Sequence, residues 1–214
     1  MIYSKEKDFL FIHVPKTAGT SMKEVLGPYG GSSGLLNFVA RRLEKFPKVC
    51  NSLGLNAKRT YNPHTTYRKI RRILPAERLD NIFVFAFVRH PYDRLYSFYH
   101  HILAHPEHPW YEKIDNYGTF KTMLRHLDEV QEPTQKSYLV DKNGNIKANF
   151  IGRFEQINTD FKKVCERLEI PGDLPKKNSR EHKKWENVFT DEDKKYAFDF
   201  YEEDFEAFGY DPYF

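Results

Sequence analysis

Cysteine is scarce in this chain: Cys50 and Cys165 are the only two in 214 residues. Two lone thiols make neither a disulfide framework nor the spaced ligand set of a zinc site, and reduced thiols fit a cytoplasmic compartment. No metal site is expected. Long apolar runs are missing too. None approaches the ~20 residues that cross a bilayer, and no cleavable apolar run precedes the first strand-like residues at Phe9. Neither a membrane span nor a leader is expected. The GxxxxGKS/T loop of nucleoside triphosphatases is absent, as are internal repeats and low-complexity tracts. A large excess of one charge is also lacking. The 34 Lys and Arg against 30 Asp and Glu leave +4, and no nucleic-acid partner is expected.

What the chain has in quantity is aromatic side chains. Its 18 Phe and 14 Tyr supply large apolar surfaces for a core, and the length suits one domain over residues 1–214. Charge is unevenly spread. From Arg41 to Arg78 eleven Lys and Arg face two Glu, a local balance of +9; from Glu181 to Asp211 eleven Asp and Glu face four Lys, a local −7. The basic block suits an anionic partner. It equally suits a solvated face, or contact with the acidic block.

Phe9-Leu10-Phe11-Ile12-His13-Val14 is a nearly continuous apolar run, the pattern of a strand covered on both faces. Pro15 ends it, and a Gly/Thr/Ser turn leads to a helix expected to start near Thr20 or Ser21, both good cap types. Ile82–Val88 (IFVFAFV) repeats the pattern. Arg89-His90-Pro91 breaks that run, and Tyr92–Leu103 reads as a helix with Leu95, Phe98 and Ile102 in its apolar stripe. Two strand–loop–helix units predict a three-layer α/β/α fold around a central parallel sheet, with ligands beyond the carboxyl ends of the strands. Further helices are expected at 35–46, Thr66–Leu74 and Asn158–Leu168, the last with Phe161, Val164 and Leu168 inward. Asn143-Gly144 between Tyr138–Val140 and Ile146–Ile151 predicts a hairpin. Thr190 and Asp193 predict a capping box opening a last helix, with Ala197, Tyr201, Phe205 and Phe208 inward.

Both strand-end loops carry anion-binding parts. In Pro15-Lys16-Thr17-Ala18-Gly19-Thr20-Ser21, Gly19 allows close backbone approach. The following helix start offers N–H groups and a partial positive charge. Thr17, Thr20 and Ser21 add hydroxyls, and Lys16 adds a full charge. In the second segment Arg89 precedes Ser97 by eight residues. An arginine fork and a serine hydroxyl suit a dianionic phosphate. Arg94 shares a helical face with Ser97 and is read either as a surface charge or as a brace on the loop through Asp93.

Together IHVPKTAGTS at 12–21 and FVRHPYDRLYSFY at 87–99 resemble the family 2 sulfotransferases. ANFIGRFEQI at 148–157, KKNSREH at 176–182 and the closing FEAFGY continue the resemblance more weakly. The resemblance implies the fold of P-loop nucleotide hydrolases and a donor, 3′-phosphoadenosine 5′-phosphosulfate (PAPS). It assigns the 5′-phosphosulfate to the Lys16, Thr17, Ala18, Gly19, Thr20 and Ser21 loop, and the 3′-phosphate to Arg89 and Ser97. It adds Asn178 and Ser179 as cofactor contacts from a late loop.

Sulfuryl transfer then needs a cation at the bridging oxygen, for which Lys16 is the candidate. It also needs a base for the acceptor hydroxyl or amine. His64 is the choice, because relatives carry a histidine tied to catalysis between the two motifs; His182 and Glu155 are reserves. His13 reads as a packed structural histidine, and His90, His100 and His101 as packing or phosphate-binding. The acceptor is expected to be a small molecule or a glycan, an anionic one included. Trp110 and Tyr111 suit stacking on a sugar and equally suit the core. The alternatives are a kinase-like phosphoryl-transfer enzyme, which predicts Mg²⁺ and a lysine after the glycines, and a non-catalytic polyanion- or nucleotide-binding module.

Overall fold

The computed structural model of the chain describes residues 1–30, 64–72, 74–130, 132–175 and 184–213. The helix expected at 35–46 lies outside them. Four strands form one sheet in the order β1-β2-β3-β4: β1 Ile2–Ser4, β2 Phe9–Ile12, β3 Phe83–Val88 and β4 Phe150–Arg153. β2, β3 and β4 run parallel, in registers that pair Phe11 with Phe85 and Phe87 with Gly152. β1 is an antiparallel edge joined to β2 by a short turn, so the sheet is mixed, with its parallel part at the centre.

The strand runs are apolar throughout because each face packs under helices. Phe9, Phe11, Phe85 and Phe87 point to one side. There they meet Met22 and Leu26 of α1 (Gly19–Leu26) together with Phe161, Val164 and Leu168 of the long helix Ile157–Leu168. Leu10, Ile12, Val84, Ala86 and Val88 point to the other side, toward the helix Pro91–Leu103 and the C-terminal helix Asp191–Phe208. One face is therefore aromatic and the other aliphatic, as the period of two along each strand requires. The three layers of the expected α/β/α fold are present.

Between β2 and β3 lie α2 Tyr67–Ile70 and α3 Ala76–Asp80, so the helix expected over Thr66–Leu74 is a single turn with Thr66 at its N-cap. The helix after β3, α4, spans Pro91–Leu103. Short helical turns α5 Tyr111–Asn116, α6 Phe120–Leu124, α7 Leu127–Val130 and α8 Gln135–Leu139 lead to β4. α9 Ile157–Leu168 and α10 Asp191–Phe208 complete the outer layers.

Two local expectations are corrected. The first half of the predicted hairpin is helical: Tyr138 and Leu139 belong to α8, and only Val140 and Ile146 bridge across the Asn143-Gly144 turn. The first helix opens at Gly19 rather than behind a Thr20 or Ser21 cap. Its N-cap is Ala18 in the left-handed region, with no side-chain cap bond.

The capping box at Thr190 and Asp193 forms as expected, and Ala197, Tyr201, Phe205 and Phe208 are buried. Cys165 is buried on the aromatic face, where desolvation pushes its thiol up to about 11. Among the described residues no helix is long and apolar enough to cross a membrane.

Candidate active site

All three parallel strands end on the same edge of the sheet, and the loops leaving them converge there. After β2 the chain passes through His13–Ala18 into α1. Lys16 and Ala18 both adopt positive φ, 66° and 61°, a conformation that costs non-glycine residues energy and marks a loop held in shape by its surroundings. Thr17 between them is fully buried, and its hydroxyl donates to the Val14 carbonyl at 2.9 Å. That hydroxyl hydrogen shapes the loop. Ser21 is buried and Thr20 is exposed on the first turn of α1.

Gly19 makes room for a neighbour. A Cβ there would sit 1.8 Å from Nε2 of His13, so the imidazole of His13 lies against the helix start in space that only glycine leaves. The ring also stacks on Phe11, at 5.9 Å, and tilts against His64 at 4.5 Å between centroids. Burial first, then the charges of His64 and of lysines including Lys16, depress the His13 pKa to about 3. His13 is thus a neutral packed histidine.

His64 reaches the same place from the chain before α2. Its Nδ1 stands 3.4 Å from the His13 carbonyl oxygen. A carbonyl only accepts, so Nδ1 carries the hydrogen and Nε2 keeps the lone pair. Burial lowers the His64 pKa, the His13 carbonyl opposes that shift, and the nearby charge of Lys16 adds to it. At neutral pH the ring is neutral.

The second motif is tied to the first by direct contact. Arg89 follows β3; its Nη1 donates to the Lys16 carbonyl at 3.2 Å and its Nε to Asp93 at 2.7 Å. Its guanidinium lies 4.0 Å from the centre of the Phe154 ring, just past β4. One arginine therefore ties together the segments that follow all three parallel strands. Asp93 is the ion-pair partner, four residues along.

Arg94 does not share in this surface. It is fully buried, pairing with Glu132 at 2.7 Å and the Pro133 carbonyl at 2.6 Å. Neither reading made for it from the sequence holds. Ser97 is half-buried two turns into α4.

A comparison with protein-family models matches residues 1–211 to the one described as Sulfotransferase family. The chain belongs to the sulfotransferase family. No curated protein and no solved structure matches it.

In this sulfotransferase the remaining candidates fall as follows. Glu155, a reserve base, is tied down: it accepts from the His90 backbone N–H at 2.6 Å and from the Tyr210 hydroxyl at 3.0 Å. His90 is buried, stacked on Trp185 at 4.4 Å, with Nε2 donating to the Asp211 carbonyl at 3.1 Å. It packs.

Trp110 and Tyr111 are half-buried against the core, and the Trp110 N–H donates to His108, whose ring lies beside His101 near the C-terminal end of α4. Asn178, Ser179 and His182 lie outside the described residues. Among the described residues no group of three or more His, Cys, Asp or Glu is placed to hold a metal ion. A surface depression of about 450 Å³ lined by Cys165, Glu169, Gly172 and Asp173 opens beyond the C-terminal end of α9, at the opposite edge of the sheet.

Sequence reasoning missed Gln135. Its side-chain Oε1 accepts from the Arg89 N–H and its Nε2 donates to the Arg89 carbonyl, both at 2.8 Å. Nothing around Gln135 in the sequence signals this, because the partner is 46 residues away.

Proposed function

We propose that this sulfotransferase moves a sulfuryl group from PAPS to a hydroxyl or amine of a carbohydrate or glycan acceptor. The observation that carries the reading is the Arg89 guanidinium bridging to the Lys16 carbonyl. It makes one cationic floor of two segments with the parts of a phosphosulfate site and a phosphate site. The donor fits what is there: a positive-φ loop at a helix N-terminus, a lysine, and an arginine fork, all suited to anions.

The donor supplies an electrophilic sulfur with a good leaving group. The acceptor oxygen attacks sulfur opposite the bridging oxygen; that S–O bond breaks, and adenosine 3′,5′-bisphosphate leaves. The acceptor proton passes to Nε2 of His64, kept ready by its Nδ1–H bond to the His13 carbonyl. Negative charge grows on the bridging oxygen, where the Lys16 ammonium and the N–H groups opening α1 oppose it. Arg89 and Ser97 hold the 3′-phosphate, and the family resemblance adds Asn178 and Ser179 as further nucleotide contacts.

The acceptor class draws support from charge. Directly after His64 the chain exposes Arg68, Lys69, Arg71 and Arg72, four cations suited to carboxylates or existing sulfates on a glycan.

Calorimetric titration with adenosine 3′,5′-bisphosphate, without added metal, tests the donor. Micromolar binding is expected, with ATP much weaker and with Lys16→Ala and Arg89→Ala both impaired. A preference for ATP with Mg²⁺ sinks the reading. Sulfate incorporation into acidic glycans, beside neutral glycans and small alcohols, then tests the acceptor.

A further inference from the structure

The support behind Arg89 is more elaborate than a surface arginine needs. It begins at α10, where Asp204 is fully buried. Its carboxylate accepts from the Gln135 N–H at 2.9 Å through one oxygen and from the Lys136 N–H at 2.8 Å through the other. These are first-turn amides of α8, which have no carbonyl partner inside their own helix. Thr134 at the N-cap accepts from Ser137 N–H, so the start of α8 is anchored both locally and from the C-terminal helix.

The side chain of Gln135, fully buried, leaves that anchored turn toward β3 and closes a two-point clamp on the Arg89 backbone. A planar amide that both accepts from an N–H and donates to the carbonyl of one residue fixes that residue's peptide planes, much as a neighbouring strand would. Arg89 stands one residue past the end of β3, where the sheet no longer does this.

The clamp has a consequence at the guanidinium. With the backbone fixed, Nε on Asp93, Nη1 on the Lys16 carbonyl and the ring of Phe154 beneath, the fork is aimed in one direction. Among the described residues Nη2 makes no hydrogen bond. Fixed aim is what a bidentate phosphate contact requires, because a displacement on the order of 1 Å at a binding group can remove most of its effect.

We propose that Gln135 is a positioning residue for the donor's 3′-phosphate, acting through Arg89 and itself held by Asp204. The proposal rests on the assignment of the 3′-phosphate to Arg89. Gln135 touches no ligand; it sets the direction of the residue that does.

The test is a calorimetric cycle on the full chain with two nucleotides, adenosine 3′,5′-bisphosphate and adenosine 5′-monophosphate, which lacks the 3′-phosphate. Gln135→Ala removes the clamp. Gln135→Glu keeps its shape but sets a carboxylate oxygen against the Arg89 carbonyl, and serves where the alanine variant does not fold. Either variant is expected to weaken the bisphosphate about tenfold and to leave the monophosphate within about twofold. Combined with Arg89→Ala, which alone weakens the bisphosphate selectively, Gln135→Ala should add nothing further.

Equal weakening of both nucleotides, or full additivity with Arg89→Ala, overturns the positioning role and leaves a structural one. An unimpaired Gln135→Ala beside an impaired Arg89→Ala overturns it too, while the donor reading stands. Unchanged bisphosphate binding in Arg89→Ala itself overturns the 3′-phosphate assignment and this proposal together.

Discussion

At the scale of single residues, the candidate site turns on a contact between two histidines and a glycine. His64 donates through Nδ1 to the His13 carbonyl, and the His13 ring occupies the space beside Gly19. His64→Ala is expected to lower turnover by ~10²-fold or more while leaving bisphosphate affinity nearly intact; steady-state rates beside calorimetry separate the two. Because burial lowers the His64 pKa below 6.5, the base form persists as the medium is acidified. The acid limb of kcat/KM is therefore expected below pH 6.5, and a limb above that value removes His64 from the role. Gly19→Ala drives a methyl into the His13 ring and should destabilise the fold by ~1–3 kcal/mol. In a His13→Ala background the same change should cost clearly less, since the obstructing ring is gone. Urea denaturation of the four proteins reads the difference.

At the scale of elements, ends are decided by a few polar groups. The capping box opening α10 joins Thr190 and Asp193, with the Asp193 N–H donating to Thr190 Oγ1 at 3.2 Å and the Thr190 N–H to the Asp193 carboxylate at 3.0 Å. Thr190→Ala should destabilise the protein by about 1 kcal/mol in a denaturation midpoint. That cap was legible in the sequence because both partners lie within four residues. So were β2 and β3, whose buried runs speak for themselves, and so were Lys16 and Arg89, placed where strands give way to helices. The misread elements were those whose partners are distant. Tyr138 and Leu139 look like strand residues, yet they are helical because Thr134 caps their turn and Asp204 reaches its first amides from 69 residues away. β1 is short and half-exposed, and only its pairing with β2 makes it a strand. Arg94 reads in the sequence as a surface charge or as a brace through Asp93 because its partner, Glu132, is 38 residues distant.

At the scale of the whole molecule, the site is a property of the sheet's edge rather than of any segment. β2, β3 and β4 each lead into one segment there, and Arg89, which itself follows β3, contacts the other two. Ligand binding to such an assembled site stabilises the native state alone. Bisphosphate at ~100 times its dissociation constant should therefore add about 2.7 kcal/mol and raise Tm, with Arg89→Ala blunting the rise at equal concentration. A Tm independent of ligand would contradict an assembled site. The reach of Asp204 to Gln135, and of Gln135 to Arg89, also sets an order in time. A chain is synthesised from its N-terminus, so Lys16 and Arg89 leave the ribosome long before Asp204 does. Until α10 has emerged and docked, the arginine lacks its brace. A nascent chain would hold both signature motifs in full and still grip the nucleotide poorly, so tight binding marks the moment at which folding is finished.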